Sequence, residues 1–170
     1  MVTEDHYIVN LPFMYMKGHF DGYGNPYTQI VESARTLFVQ KSPLELLEFS
    51  MKCTGNNLKG AIESSKWLLN CDKMCPLLVN PLQRIVLFPT RSPKHEENIW
   101  FNPHHIKRTT GTRGQTTVQF SNGTSIDIPQ RLSSFNSKIQ TAEQLEKITA
   151  EMAKGFYTMV LDPGKRMEKK

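Results

Sequence analysis

The sequence predicts an α+β domain, an antiparallel β-sheet core with a short helix near residues 43–52 and a long C-terminal helix near residues 133–154. Three observations carry that expectation. Short apolar runs from Leu77 to Val79 and from Ile85 to Phe88 are bounded by prolines, as buried strands are, because branched and aromatic side chains fit a pleated surface and proline stops the ladder. Val118 and Phe120 alternate with Gln119, and Ile126 and Ile128 with Asp127, around Asn122-Gly123, a pair suited to the positive backbone angles of a two-residue hairpin turn. Beyond Pro129 the period changes. Phe135, Ile139, Ala142, Leu145, Ile148, Met152 and Phe156 recur every three or four residues, the apolar stripe of a helix.

The remaining elements follow in order. Residues 1–10 show no periodic pattern and are expected to be a flexible N-terminus. Phe13 and Tyr15 against Met14 and Met16 suggest a strand covered on both faces, and Gly18 to Pro26 is rich in turn residues. Tyr27 to Val31 and Thr36 to Val39 supply the next strands of a β-meander. Ser42-Pro43-Leu44-Glu45 starts a helix: Ser42 can accept a backbone N–H, Pro43 fits the first helical position, and Glu45 completes a capping box. Leu44, Leu47 and Met51 continue it, and Gly55-Asn56-Asn57 ends it. Leu58, Ala61 and Ile62 suit another helix, whereas Trp67-Leu68-Leu69 suits a strand equally well, and the pattern leaves both open.

A polar loop is expected over residues 90–98, then a buried Ile99-Trp100-Phe101. Asn102-Pro103 turns the chain into His104 to Thr110, read as a strand whose two histidines point to opposite faces. Gly111 to Gly114 turns it again into the final hairpin. Within the long helix, Thr141 with Gln144 resembles a capping box, which raises the alternative of a helix-turn-helix. The outward face would then carry Lys138, Lys147 and Lys154, balanced by Glu143, Glu146 and Glu151. The domain reading is a single domain over residues 11–156 with a tail over 157–170.

Composition narrows the function. With 38% hydrophobic and 22% charged residues, the chain falls with ordinary globular domains rather than disordered or membrane-spanning ones. Glu4 and Asp5 stand where a signal peptide would be basic, so a cytoplasmic protein with no membrane partner is expected. Three cysteines without framework spacing fit a reducing compartment. Residues 1–50 hold three Lys/Arg against six Asp/Glu, while residues 51–130 hold ten against five. Such a lopsided positive field favours polyanions, nucleic acid among them.

No phosphate-binding glycine loop, Gly-x-Ser-x-Gly elbow or His-Glu-x-x-His motif occurs, so an enzyme is not expected. Cys71 and Cys75, with His95, His104 or His105 downstream, offer zinc-ligand chemistry at loose spacing, and the expectation is no metal and no cofactor. The stronger set is basic. Arg91, Lys94, His104, Lys107, Arg108 and Arg113 lie on loops and strand ends of a rigid sheet, the arrangement by which scaffolds present binding residues. Guanidinium groups suit a narrow A/T-rich minor groove, and lysines neutralise phosphates.

The succession of Pro76 to Pro81, Ile85 to Thr90, Trp100 with His104 to Lys107, Phe120 to Gly123, and Ile128-Pro129 with Ser134-Phe135 after it resembles the ComK family of competence transcription factors. Cys53 and Gly55 fall where that family places a cysteine and a glycine, and the resemblance covers roughly residues 40 to 140. It implies an activator of DNA-uptake genes that binds paired A/T-rich boxes in double-stranded DNA as a homo-oligomer. It further implies control by an adaptor that delivers the protein to an AAA+ protease. Met159, Val160, Leu161 and Pro163 partly resemble the short apolar, proline-ended segment that this adaptor recognises. Two alternatives stand beside it: a ComK-like protein-interaction module that has lost DNA binding, and a zinc-dependent nucleic-acid enzyme using Cys71, Cys75 and a histidine.

Overall fold

The computed structural model describes residues 3–155, and within them the expected α+β architecture is present. The strands are β1 (Thr3–Glu4), β2 (Phe13–Phe20), β3 (Pro26–Glu32), β4 (Thr36–Val39), β5 (Leu77–Asn80), β6 (Ile85–Pro89), β7 (Ile99–Phe101), β8 (Ile106–Thr112), β9 (Gln115–Phe120) and β10 (Ser125–Ile128). The helices are α1 (Pro43–Cys53), α2 (Leu58–Leu69) and α3 (Leu132–Ala153). Strands β1 to β7 form one sheet in the order β1-β4-β3-β2-β7-β6-β5, and β8 to β10 form a second in the order β10-β9-β8. Every described pairing is antiparallel except that of β1 with β4.

The large sheet is the middle layer. In β6, Ile85 and Leu87 point into one apolar cluster while Val86 and Phe88 point into the other, as the period-two alternation of a strand demands. The first cluster lies under α1 and α2, where Leu46, Leu47, Met51 and Ala61 meet Met16, Ile30 and Leu37. On the opposite face, α3 and the small sheet contribute Phe135, Ala142, Leu145, Val118 and Phe120. Phe101 and Phe135 cross at 83° with ring centroids 5.4 Å apart, and Phe88 meets Phe135 at 5.5 Å. Edge-to-face aromatic pairs contribute about 0.5–1.5 kcal/mol beyond their buried area, so this cluster joins the two sheets and α3 into one body.

Local chemistry explains the helix boundaries. Ser42 Oγ accepts from Glu45 N–H and the Glu45 carboxylate accepts from Ser42 N–H, both at 3.3 Å, which is the expected capping box. The open question at Trp67 resolves as helix. Asn57 Oδ1 caps α2 by accepting from Gly60 N–H at 2.6 Å, and Asn70 ends it in the left-handed conformation. Ala61, Ser65 and Leu68 face inward while Trp67 is exposed.

Four expectations are corrected and one alternative is removed. From Thr3 onward the N-terminus is tied down, because β1 pairs with β4, Val9 N–H donates to Ser50 Oγ, and the buried Tyr7 hydroxyl donates to Glu32 at 2.6 Å. Asn122-Gly123 is not a two-residue turn. Phe120 N–H reaches Thr124 O, and among Ser121, Asn122 and Gly123 only Gly123 has positive φ, the pattern of a three-residue loop closed by a bulge. The two-residue turn is Arg113-Gly114, with φ of 51° and 80°. His104 and His105 lie in a short 3-10 turn, Pro103–His105, rather than on a strand, because Asn102 Oδ1 accepts from His104 N–H and starts the turn. Helix α3 runs unbroken past Thr141, whose hydroxyl donates to Ser137 O one turn back instead of capping a new helix; this removes the helix-turn-helix alternative. Finally, Cys71 and Cys75 are joined as a disulfide, where free thiols were expected. Asn70 and Met74, both at φ 51°, fold the loop so that the two sulfurs meet.

Candidate nucleic-acid interface

The loop after β6 leaves the sheet in a fixed direction. Thr90 N–H donates to Ile99 O at 3.0 Å and Thr90 Oγ1 accepts from Ile99 N–H at 3.1 Å. Asn98 Oδ1 accepts from Arg91 N–H at 3.0 Å. Arg91 is therefore anchored through its backbone, and its guanidinium lies 3.5 Å from the exposed Glu97 carboxylate. Lys94 and His95 stand further out and are exposed.

The second group of cations lies on the small sheet. Its inner face is set by Thr116, Val118 and Phe120, which are buried. Arg108 pairs with Gln119 and Thr110 with Thr117, so alternation puts these residues on the outer face. Lys107 occupies the bulge between Ile106 and Arg108, and Arg113 sits at the tip of the β8–β9 turn. Lys107, Arg108 and Arg113 are all exposed and make no ion pair among the described residues. One carboxylate shares this face, Asp127, which accepts from the Thr117 hydroxyl at 2.5 Å.

Two hydrogen bonds tie the groups together. Thr116 Oγ1 donates to Gln130 O at 2.7 Å, and Gln130 Nε2 donates to Thr90 O at 3.2 Å. The base of the Arg113 turn and the root of the Arg91 loop are thus linked through one residue. Sequence reasoning had both cations but no signal for the link, since Gln130 belongs to no motif.

His104 does not join them. Its Nε2 lies 2.5 Å from Glu146 Oε1 on α3, and His105 Nε2 contacts Leu11 O at 2.7 Å. Lys138, placed by periodicity on the outward face of α3, is instead half-buried and donates to Thr90 O at 2.6 Å. Burial, and secondarily the nearby Arg91 charge, hold its ammonium below the usual lysine range. A signal for this existed: Lys138 follows the buried Phe135 by three residues and precedes Ala142 by four, which puts it at the margin of the apolar stripe.

Lys138 and Arg91 border one cleft of about 350 Å³ that also touches Thr90, Ser92 and His95. A separate, apolar cavity of about 400 Å³ lies under α2, between Leu58, Ile62, Leu77 and Trp100. The sulfurs of Cys71 and Cys75 are committed to each other, so the zinc alternative loses its thiolates, and no cluster of three metal-ligating side chains occurs among the described residues. Met159, Val160, Leu161 and Pro163 lie outside the described residues. Among those described, no helix is long and apolar enough to cross a membrane.

A two-sheet α+β domain, with cations on its small outer sheet and beside one cleft of the larger one, is the class of protein that these elements define. The family described as ComK protein matches residues 4–154; the chain belongs to the ComK family. Over 113 residues it is 26% identical to the competence transcription factor of Bacillus subtilis (strain 168), a match covering 66% of this chain and 59% of that protein. The matched region is therefore less than two thirds of the relative's length. No solved structure matches.

Proposed function

We propose that this chain is a competence transcription activator that binds double-stranded DNA at A/T-rich promoter boxes, with no catalytic step and no cofactor. The observation that carries this reading is the ComK match over residues 4–154. The relative in Bacillus subtilis is a competence transcription factor, and the exposed Lys107, Arg108 and Arg113 give the domain a surface suited to a polyanion. Lysines neutralise phosphates, while arginines at a turn tip and a loop root can enter a narrow A/T minor groove, where the potential is most negative. His104, held against Glu146, contributes least, and Lys94 acts as a peripheral phosphate contact.

Two paired boxes call for at least two copies of the chain, so the active species is a homo-oligomer on DNA in a cytoplasmic setting. Control by an adaptor and an AAA+ protease, acting through Met159 to Pro163, belongs to the same reading. Hydroxyl-radical footprinting on a promoter-length duplex with two A-tract boxes tests it. Protection of the minor groove at both boxes is expected; uniform cleavage along the duplex contradicts the proposal.

A further inference from the structure

We propose that Arg91 and Lys138, meeting across the cleft between the β6–β7 loop and α3, form a seat for a single DNA phosphate. This inference rests on the DNA-binding reading and adds to it a residue from α3.

Donor capacity is the first argument. Lys138 spends one of its three ammonium N–H groups on Thr90 O at 2.6 Å and turns a second toward Met74 Sδ at 3.9 Å, which fixes the side chain and leaves one donor free. Among the described residues Arg91 has one ion-pair partner, the exposed Glu97 carboxylate, at the long distance of 3.5 Å. A guanidinium presents five N–H donors in a planar fork suited to two oxygens of one phosphate. Thr90 and Ser92 line the same cleft, and its volume of about 350 Å³ admits a phosphodiester group with water.

The second argument is energetic. Glu97 borders the cleft too and pairs with Arg91, but Lys138, half-buried, has no ion-pair partner among the described residues and is disfavoured in its charged form by burial and by Arg91. Folding alone gains little from such a placement, because a methionine would fill the aliphatic path of Lys138 without the desolvation cost. An anion between the two reverses the sign of the interaction. Clustered like charges with perturbed protonation are a recognised mark of a binding site.

The third is position. Thr90 O, the acceptor for Lys138, also receives Gln130 Nε2, and Gln130 O receives Thr116 Oγ1. The cleft is thereby braced against the β8–β9 hairpin, whose turn carries Arg113, so a duplex lying across that hairpin can bring its backbone to the cleft.

The test compares the full chain with K138M, K138R and K147Q in binding to an A-tract duplex across a salt series, with thermal melts alongside. Lys147 is exposed and lies nine residues further along α3, half a revolution away at 3.6 residues per turn, so K147Q serves as the control. K138M is expected to lower affinity about tenfold and reduce the slope of log K against log salt by about 0.9, the value for one phosphate. K138R restores both, and K147Q matches the wild type. Wild-type affinity and slope in K138M overturn the seat while leaving DNA binding intact. Failure of the wild type itself to bind overturns both, and a K138M melt far below wild type with no recovery of binding in K138R assigns Lys138 a purely structural role and also overturns the seat.

Discussion

Thr116 Oγ1 donates a 2.7 Å hydrogen bond to the carbonyl of Gln130, joining the inner face of the small sheet to the segment that enters α3. Thr116 is fully buried, so its hydroxyl has no alternative partner in water. Thr116→Val keeps the shape and leaves the donor's position apolar. It is expected to destabilise the fold by about 1–3 kcal/mol, the usual effect of stranding a buried polar group. Urea unfolding measures this, and an unchanged midpoint contradicts the bracing role.

Arg113 occupies the left-handed region at φ 51°, next to Gly114 at 80°. A side chain with a Cβ in that conformation costs about 1–2 kcal/mol relative to glycine, whereas asparagine tolerates it better. Arg113→Asn should therefore raise stability by several tenths of a kcal/mol or more, while lowering the salt slope of DNA binding by about 0.9. Opposite signs in the two measurements are the signature of a residue kept for binding. A variant that is both less stable and unchanged in binding contradicts the assignment.

Gly111 lies opposite Thr116 on β8, and a Cβ built there would sit 2.9 Å from the Leu132 Cβ. Overpacking of this kind costs about 1–3 kcal/mol. Gly111→Ala should lower the melting temperature, and pairing it with Leu132→Ala should recover part of the loss.

Asp21 shapes the turn between β2 and β3, where its carboxylate accepts from Asn25 N–H at 2.8 Å and from Tyr23 N–H at 2.9 Å. These bonds, the Asn25 one foremost, hold its carboxyl below the usual range. A depressed carboxyl favours the folded turn above the unfolded carboxyl range near pH 4, and that preference is lost as pH falls through the lower folded value. Amide shifts of Tyr23 and Asn25 should move together in an acid titration, and Asp21→Asn should abolish the movement. Shifts that persist in the variant contradict the assignment.

The disulfide between Cys71 and Cys75 closes a loop of four residues of separation. Loop-closure entropy for so short a ring amounts to about 2 kcal/mol. Reduction by a dithiol should lower stability by up to that amount, and Cys53, free and exposed, should react with a thiol reagent before and after reduction alike. Three thiols titrating in fresh, non-reduced protein contradict the pairing.

Elements with strong local chemistry were legible in the sequence. The capping box at Ser42, the proline-bounded strands at Leu77 and Ile85, and the apolar stripe of α3 each depend on neighbours within a few residues. The features that escaped depend on distant partners. Tyr7 is held by Glu32 and Lys138 by Thr90, and no short window contains both members of either pair. The length of the loop at Asn122-Gly123 escapes for a related reason. Asn122-Gly123 has the stronger local preference, but pairing of Ser125 with Gln119 sets a longer loop there, whereas pairing of Thr112 with Gln115 forces Arg113 into the tight one. In the interface, exposed Lys107, Arg108 and Arg113 could be named from type and position. His104 meets the same criteria although Glu146 holds it, and periodicity alone puts Lys138 on the outward face although Thr90 draws it inward.

The most direct measurement is a salt titration of binding to two duplexes of equal length, one with paired A-tract boxes and one of mixed sequence. The account predicts tight binding to the A-tract duplex, steep salt dependence from several released counterions, and clear preference over the mixed duplex. Equal and weak binding to both, or none at low salt, would contradict it and leave recognition of a protein partner as the function of this surface.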